Sequence, residues 1–365
     1  MQQERIRYLS QQEKQDTRPL YEAAFPEDSK AFTDYYYQWK IIDNEVLVME
    51  EEAPLESVFF HVMIHLNPYA LWMGGIVKKV PYLVAVATHA RVRRQGKMGR
   101  VMRRLLQDLE QKEVPFAFLL PADPAYYQGQ GFVFFPSGIW SGIGFYQQKG
   151  LVQAASVADS YLDVRWQRAG TSDGAAMAAF ANRILEERCT LFIRRDPYYY
   201  KRLQAETAVE HGGVLLLRSA RKLCGILVYA VEESNAQRAR SAQVKELLLE
   251  RLVSMEEAQR ICRNALKDAK EMIDDLCFPA SHMMVRITSL RAVVPLLKNR
   301  SAQVMKVKVK DAMIDANNGC FQIETGRTGG TIKRITAAQA KREMDISQLT
   351  QELFRDTFAY LNEWV

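Results

Sequence analysis

The segment that most constrains this chain is an apolar run, then a glycine-bearing turn, then an amphipathic pattern. Residues 84–88 (Val-Ala-Val-Ala-Thr) are typical of a short buried strand, and Gly96 and Gly99 lie in the turn after it. Apolar residues then recur at the spacing of one helix face: Val101, Met102, Leu105, Leu106 and Leu109. The sequence therefore predicts a strand, a tight turn and a helix in direct succession.

The predicted turn has the chemistry of an anion site. The first N–H groups of a helix have no partner inside it, and the helix macrodipole favours negative charge at that end. Seven basic residues fall between Arg91 and Arg104, with no acidic residue among them. We therefore expect the turn to bind a pyrophosphate. A basic surface helix capped by a glycine is the alternative that this segment alone leaves open.

Two other nucleotide-binding motifs do not fit the same residues. A Walker A loop requires Gly-x-x-x-x-Gly-Lys-Ser/Thr, which this turn does not contain. A dinucleotide-binding turn requires Gly-x-Gly-x-x-Gly, whereas only Gly96 and Gly99 are present. Neither a P-loop nor a dinucleotide fold is therefore expected.

Length, charge and cysteine usage limit the class of protein. A chain of 365 residues exceeds what one hydrophobic core usually supports, so two or three domains are expected. The net charge of +6 is mild and does not indicate a nucleic-acid partner. No apolar run is long enough to span a membrane, and the N-terminus lacks the apolar core of a secretory signal. The five cysteines lack metal-site spacing, so we expect a cytoplasmic protein without a metal.

The patterns divide the chain into three parts. Residues 1–150 read as an α/β unit, with helical patterns in 12–40 and strands at 44–50, 55–66, 81–88 and 114–120. Residues 151–282 resemble a second α/β unit without the glycine turn, and the polar stretch 232–243 is expected to be a loop.

The third part, residues 283–365, begins a new pattern. Residues 304–310 alternate as a half-buried strand does, while 339–344 and 346–354 are expected to form short helices. The chain end, 357–365, is apolar and aromatic, which predicts that it packs inside the protein.

Two motifs, one in the turn and one after the strand at 114–120, resemble those of a known family. The pattern Arg93-x-x-Gly96-x-Met98-Gly99 resembles the pyrophosphate signature of the GCN5-related (GNAT) acetyltransferases, with Met98 where most of them have a small residue. Tyr127-x-x-x-Gly131-Phe132 is similar to the motif in which these enzymes place a tyrosine beside the thioester sulfur of acetyl-CoA.

Over its whole length the chain resembles the Eis-type (enhanced intracellular survival) acetyltransferases. Further motifs carry this resemblance: Ala24-Phe-Pro-Glu-Asp28, Val86-Ala-Thr-His89, Arg195-Asp-Pro-Tyr-Tyr-Tyr200 and Asn362-Glu-Trp-Val365. It implies an α/β (α+β) fold class with a GNAT domain at 1–150, a GNAT-like domain without cofactor at 151–282, and a sterol-carrier-protein-like domain at 283–365. It also implies a homo-oligomer, for example a hexamer.

The resemblance implies roles for particular residues. Tyr127 would be the general acid, and the α-carboxylate of Val365 would be the general base. Cofactor contacts would come from the backbone of the strand end, from the turn, and from the loop beside the acetyl group, namely Val86, Ala87, Thr88, Arg94, Gln95, Gly96, Lys97, Met98, Gly99, Ala122 and Asp123.

The activity so implied is acetyl-CoA-dependent acetylation of a primary amine, with an aminoglycoside, a polyamine-like molecule or a lysine as acceptor. Two alternatives from other classes stay open. One is a regulatory protein that binds CoA without turnover, and the other is a protein that binds lipid through its C-terminal domain.

Overall fold

The computed structural model of the protein describes residues 4–51, 59–135, 138–139, 164–219, 222–234, 239–278, 282–299 and 302–363. Within these ranges the helices are α1 (Arg18–Ala24), α2 (Lys30–Tyr35), α3 (Lys97–Gln111), α4 (Ala125–Gln128), α5 (Gly174–Arg188), α6 (Pro197–Val209), α7 (Met255–Asp268), α8 (Leu290–Val293) and α9 (Ile346–Leu353). The strands are β1 (Glu4–Tyr8), β2 (Glu45–Glu51), β3 (Phe59–Met73), β4 (Ile76–Thr88), β5 (Phe116–Leu119), β6 (Val133–Phe134), β7 (Gly138–Ile139), β8 (Val164–Arg168), β9 (Leu191–Ile193), β10 (Gly213–Ser219), β11 (Lys222–Ser234), β12 (Ala239–Leu249), β13 (Asp275–Cys277), β14 (Met284–Ile287), β15 (Gln303–Lys310), β16 (Gly319–Gly326), β17 (Gly329–Arg334), β18 (Arg342–Asp345) and β19 (Ala359–Tyr360).

Contacts divide the described chain into two units. The first contains the residues up to 135 together with 282–357, and the second contains 138–278 together with 358–363. The predicted strands and helices of the first 135 residues are thus present as one α/β body. The finer division into three domains stays a prediction.

The first unit is built on a mixed sheet with strand order β1-β2-β3-β4-β5-β14-β6. Strands β1 to β4 are antiparallel neighbours, and β5 runs parallel to β4. Strand β14, from much later in the chain, lies antiparallel between β5 and β6, with Met284 opposite Leu119 and Phe134. The N-terminal sheet is therefore completed by residues beyond 280.

Both faces of this sheet are covered, because alternate residues of a strand point to opposite sides. Leu47 and Met49 face a core that contains the apolar side of α3, whose positions predicted from the sequence are all buried. Val46 and Val48 face the other core, which includes Tyr21, Tyr36 and Tyr37. The predicted amphipathic helix is thus confirmed, and its burial supplies much of the apolar core.

A second sheet in the first unit has the order β17-β16-β15-β18. The helix predicted at 339–344 is wrong: Arg342–Asp345 is a strand, paired in parallel with residues 307–310 of β15. Backbone hydrogen bonds to a distant strand outweigh local helix propensity here. The helix predicted after it is confirmed as α9, and Asp345 caps it by accepting from the Gln348 N–H at 2.8 Å.

The second unit contains a sheet with the order β13-β12-β11-β10-β8 and a short parallel group of β9, β19 and β7. The loop predicted at 232–243 is wrong in its described part, because β11 runs to Ser234 and β12 begins at Ala239. Cross-strand pairs such as Arg240 with Glu233 at 3.2 Å give these polar residues partners within the ladder.

In the part of the chain that the structure describes, no helix has the length and apolarity to cross a membrane.

Candidate functional site

The end of β4 carries a bulge and an open edge. Met63 of β3 lies opposite Ala87, and His65 lies opposite Val84, so Ala85 and Val86 share one partner position. Ala85 accordingly has a φ of 48°. On the other side, the registered pair with β5 is Tyr82 with Phe118, and none follows toward Thr88 among the described residues. A free strand edge can hydrogen-bond an extended chain of amide groups.

The turn after β4 is held in a left-handed conformation at two residues. Arg94 has a φ of 61° and Gly96 a φ of 73°, a region that favours glycine. The guanidinium Nε of Arg93 donates to the carbonyl of Thr88 at 3.1 Å, which closes the turn onto the strand. A Cβ atom built at Gly96 or at Gly99 would meet no heavy atom within 4 Å. The space in front of the turn is therefore open.

The start of α3 presents unpaired amides to this space. Its first bond is from the Arg100 N–H to the Gly96 carbonyl at 3.2 Å. Within the described ranges, the N–H groups of Lys97, Met98 and Gly99 have no backbone acceptor. Three converging N–H donors at the positive end of a helix form an anion site. The strand, turn and helix predicted from the sequence are confirmed in this geometry.

The net positive charge at the turn is smaller than its own basic residues suggest. Glu4 of β1 accepts from Arg100 Nη1 at 2.6 Å and contacts the ammonium of Lys97. These two cations lower the pKa of Glu4 to about 2, so it is ionised at neutral pH. The positive charge that stays exposed at the turn comes from Arg91, Arg93 and Arg94. Sequence reasoning missed Glu4 because it lies far away along the chain.

Tyr127 lies on the short helix α4, and its side chain is mostly buried. Its ring packs edge-on against Phe132, with centroids 5.9 Å apart, in the core cluster that Val86 and Met98 also contact. Its hydroxyl makes no hydrogen bond to another described residue, and the hydroxyl oxygen is not fully buried. Burial, and secondarily Tyr126, raise the pKa of Tyr127 to about 12. The phenol therefore keeps its proton at neutral pH.

The loop that carries Tyr127 is fixed by a buried ion pair. Arg286 of β14 donates through Nε to the Gln130 carbonyl at 2.7 Å and through Nη2 to Asp311 at 2.6 Å. Both charged side chains are fully buried. Gly131 has a φ of 89°, and a Cβ there would lie 2.9 Å from Ile346 Cγ2 and 3.0 Å from Arg286 Nε. The glycine of the tyrosine motif is thus required by this close approach.

The remaining predicted site residues lie on that loop or at the chain end. Ala122 and Asp123 are exposed between β5 and α4. The carboxylate of Asp123 accepts from the Ala125 N–H at 2.9 Å, so its side chain builds the turn into α4. Val365 lies outside the described residues. No cluster of three or more His, Cys, Asp or Glu side chains in the described ranges is arranged to hold a metal ion.

The first part of the chain is similar to a known protein family. Residues 5–135 match the family model described as an acetyltransferase (GNAT) domain. A comparison with curated proteins gives no match.

Solved structures share the fold over nearly the whole chain. A GCN5-related N-acetyltransferase from Kribbella flavida matches with a TM-score of 0.69 at 13% identity, over 100% of this chain and 99% of that one. Another from Anabaena variabilis matches with a TM-score of 0.69 at 14% identity, over 95% and 89%. Eis1 from Mycobacterium abscessus matches with a TM-score of 0.61 at 14% identity, over 96% and 89%. The chain thus has a mixed α/β fold, and its residues 5–135 match the GNAT acetyltransferase domain family.

Proposed function

We propose that the protein transfers the acetyl group of acetyl-CoA to a primary amine. The observation that carries this proposal is the position of one phenol. Tyr127 belongs to the core cluster against which two residues of the candidate site pack. These are Val86, at the open strand edge, and Met98, in the first turn of the helix with the unpaired amides. Two of the solved structures with this fold are named N-acetyltransferases, which supports the same activity.

The residues present fit acetyl-CoA. The diphosphate would be bound by the turn and the first amides of α3, which comprise Arg94, Gln95, Gly96, Lys97, Met98 and Gly99. Lys97 would contribute its N–H, since its ammonium contacts Glu4. The amide-containing pantetheine arm would pair with the open edge at Val86, Ala87 and Thr88, as an added strand does. The loop at Ala122 and Asp123, which leads into α4, would lie near the acetyl group.

Acetyl-CoA supplies an activated thioester carbonyl. The protein must take a proton from the substrate ammonium and give a proton to the leaving sulfur. An amine with a pKa near 10.4 is a free base in only about one molecule in 10³ at pH 7, a cost of about 4–5 kcal/mol. We assign the proton acceptor to the α-carboxylate of Val365. A terminal carboxylate is ionised at neutral pH, so it attracts an ammonium ion and accepts its proton.

Tyr127 serves the leaving group. Its hydroxyl donates to the sulfur as the nitrogen–carbon bond forms and the carbon–sulfur bond breaks. The ammonium has already given one proton to the Val365 carboxylate, which passes it to solvent. The second proton, released from nitrogen after the nitrogen–carbon bond forms, restores the phenol, so the reaction moves one proton from nitrogen to sulfur and releases one. Because the pKa of Tyr127 is about 12, the phenol is protonated across the range in which such an assay is run.

The test is an acetyl-transfer assay over a panel of aminoglycosides, polyamines and lysine peptides. Free thiol release and the mass of the acetylated product are both measured. We expect turnover that falls about 10²-fold in Tyr127→Phe. The matched control is Tyr126→Phe, since the neighbouring Tyr126 is 69% exposed, and it should keep its activity.

Two results would contradict the proposal. Tight CoA binding with no turnover on any amine would support the non-catalytic CoA-binding protein instead. A protein that binds neither CoA nor acetyl-CoA would remove the cofactor assignment altogether.

A further inference from the structure

The side chain of Lys97, the first residue of α3, is engaged by the sheet. Its ammonium contacts Glu4 of β1 and lies 3.0 Å from Nδ1 of His61, on β3. The side chains of Lys97 and His61 are only 11% and 4% exposed. The N–H of Lys97, in contrast, is one of the three unpaired amides at the start of α3. The ammonium is thus bound to the sheet at the residue that opens the anion site.

These contacts define the protonation state of His61. An ammonium can only donate, so Nδ1 of the imidazole must accept and carries no proton. On the other side of the ring, Nε2 lies 3.1 Å from a carboxylate oxygen of Glu51, to which it donates. The arrangement therefore requires a neutral imidazole with its proton on Nε2.

The charges around His61 are balanced. The described charged or titratable groups that face it or bind its partners are Glu4 of β1, Glu51 of β2, His89 of the turn, Lys97 of α3, and Arg100 of α3, which donates to Glu4 at 2.6 Å. Burial, and then Arg91, lower the pKa of His89, so it is uncharged at neutral pH. Two carboxylates are therefore matched by two cations, Lys97 and Arg100.

A protonated His61 would require a different arrangement. Both ring nitrogens would then donate, so Nδ1 could no longer accept from Lys97, and two cations would lie 3.0 Å apart. Glu4 Oε1, 3.4 Å from Nδ1, is in place to accept instead. The imidazole is held in the sheet with its ring edge-on to Phe59, whereas the lysine side chain is long and flexible. Lys97 is therefore the group that moves, and His61 with Arg100 would balance the two carboxylates.

We propose that His61 couples proton uptake to anion binding at the turn. When a proton from solvent binds Nδ1, His61 replaces Lys97 as the partner of Glu4, and the released ammonium becomes a ligand of the anion. The side chain of Lys97 begins beside the unpaired amides, so the anion lies within its reach. The inference rests on the proposed function, since it takes the diphosphate of CoA as that anion. Binding of the diphosphate and protonation of His61 then favour each other equally.

The test is calorimetry of the full-length protein with 3′-dephospho-CoA. This probe keeps the diphosphate and lacks the phosphate monoester of CoA, which would itself titrate near neutral pH. Titrations in two buffers of different ionisation enthalpy give the number of protons taken up on binding. We expect net uptake near pH 7. The Kd should be about tenfold lower at pH 6 than at pH 8, as expected for one added hydrogen bond between charged groups.

Two variants and a matched control locate the proton. In His61→Gln the amide can accept from Lys97 and donate to Glu51 but cannot bind a proton, so proton uptake and the pH dependence of the Kd should be lost. Lys97→Gln should lose the gain in affinity at low pH as well. The control is His89→Asn, which retains an N-cap acceptor for the Arg91 N–H and should keep both effects.

The outcomes separate this inference from the proposed function. Proton uptake that persists in His61→Gln, or is lost in His89→Asn instead, overturns the role of His61. A pH-dependent gain that persists in Lys97→Gln overturns the release of its ammonium. A protein that binds neither CoA nor 3′-dephospho-CoA contradicts this inference and the proposed function together. Proton-coupled binding without acetyl transfer supports the role of His61 and contradicts the proposed function alone.

Discussion

Two glycines adopt a positive φ for different structural reasons. Gly96 and Gly131 both have positive φ, but a side chain at Gly96 would enter open space, whereas one at Gly131 would collide with Ile346 and Arg286. Gly96 therefore shapes a surface that faces a ligand, and Gly131 allows the tyrosine loop to pack. The sequence predicted both positions as motif residues, yet the reason for Gly131 depends on residues that are distant in the chain.

Replacement of Gly96 by valine should weaken CoA binding. The left-handed conformation costs a residue with a Cβ about 1–2 kcal/mol, and relief of that strain would redirect the amides of α3. We expect the Kd for CoA, measured by calorimetry, to rise about tenfold or more, which is about 1.4 kcal/mol.

Gly326→Val is the control for that variant. Gly326 also has open space around a built Cβ but lacks a positive φ. An affinity for CoA that is unchanged in Gly96→Val would contradict the assignment of the turn to the diphosphate.

At the scale of elements, β4 and α3 were predictable because each carries its own signal. The strand and the helix have strong local periodicity, and the bases of the turn are contiguous. The bulge in β4, the strand β18 and the contact of Glu4 with α3 were not predictable. Each depends on the register or position of a segment that is remote in sequence.

The bulge predicts opposite effects for two nearby alanines. Ala85→Gly should raise the free energy of unfolding by about 0.5–1 kcal/mol, because glycine relieves the strain of a positive φ. Ala87→Gly should lower it by about 1 kcal/mol, since Ala87 is a buried strand residue with ordinary geometry. Urea unfolding of both variants checks the prediction, and effects of the same sign would contradict the bulge.

The pairing of β1 with α3 predicts a pH effect on stability. The pKa of Glu4 is lowered to about 2 from 4.5, so its contribution is present above pH 4.5 and is lost as the pH falls toward 2. We therefore expect Glu4→Gln to lower the free energy of unfolding at pH 7 by about 1 kcal/mol, as measured by urea unfolding. The difference from the unaltered protein should shrink at pH 3.

Glu45→Gln is the comparison for this measurement. Glu45 also forms an ion pair, with Lys112 at 3.0 Å, but its side chain is 55% exposed. Its replacement should change stability by less than about 0.5 kcal/mol. A difference for Glu4→Gln that grows as the pH falls would contradict the proposed sign.

At the scale of the whole molecule, chain order and spatial order differ. Residues 284–287 complete the N-terminal sheet, and residues 358–363 belong to the second unit. Patterns within a window report local structure only, so neither placement was expected. The general prediction that the apolar chain end is buried is confirmed as far as Glu363, because its composition reflects its environment.

Removal of Trp364 and Val365 should lower kcat about 10²-fold, since the assigned proton acceptor is lost. The affinity for CoA should not change, because the turn and β4 are untouched. Val365→Ala, which retains the terminal carboxylate, should have nearly full activity. Steady-state kinetics and calorimetry check the pair, and full activity in the truncated protein would contradict the role of Val365.

The placement of β14 between β5 and β6 has a consequence for how the protein is made. While the ribosome has synthesised only the first 280 residues, the nascent N-terminal sheet lacks β14, and the edges of β5 and β6 that β14 covers have no partner strand. Exposed edges of this kind invite pairing with other chains. A gene fragment that ends near residue 150 should therefore yield aggregated material, and co-production of the remaining fragment should restore solubility.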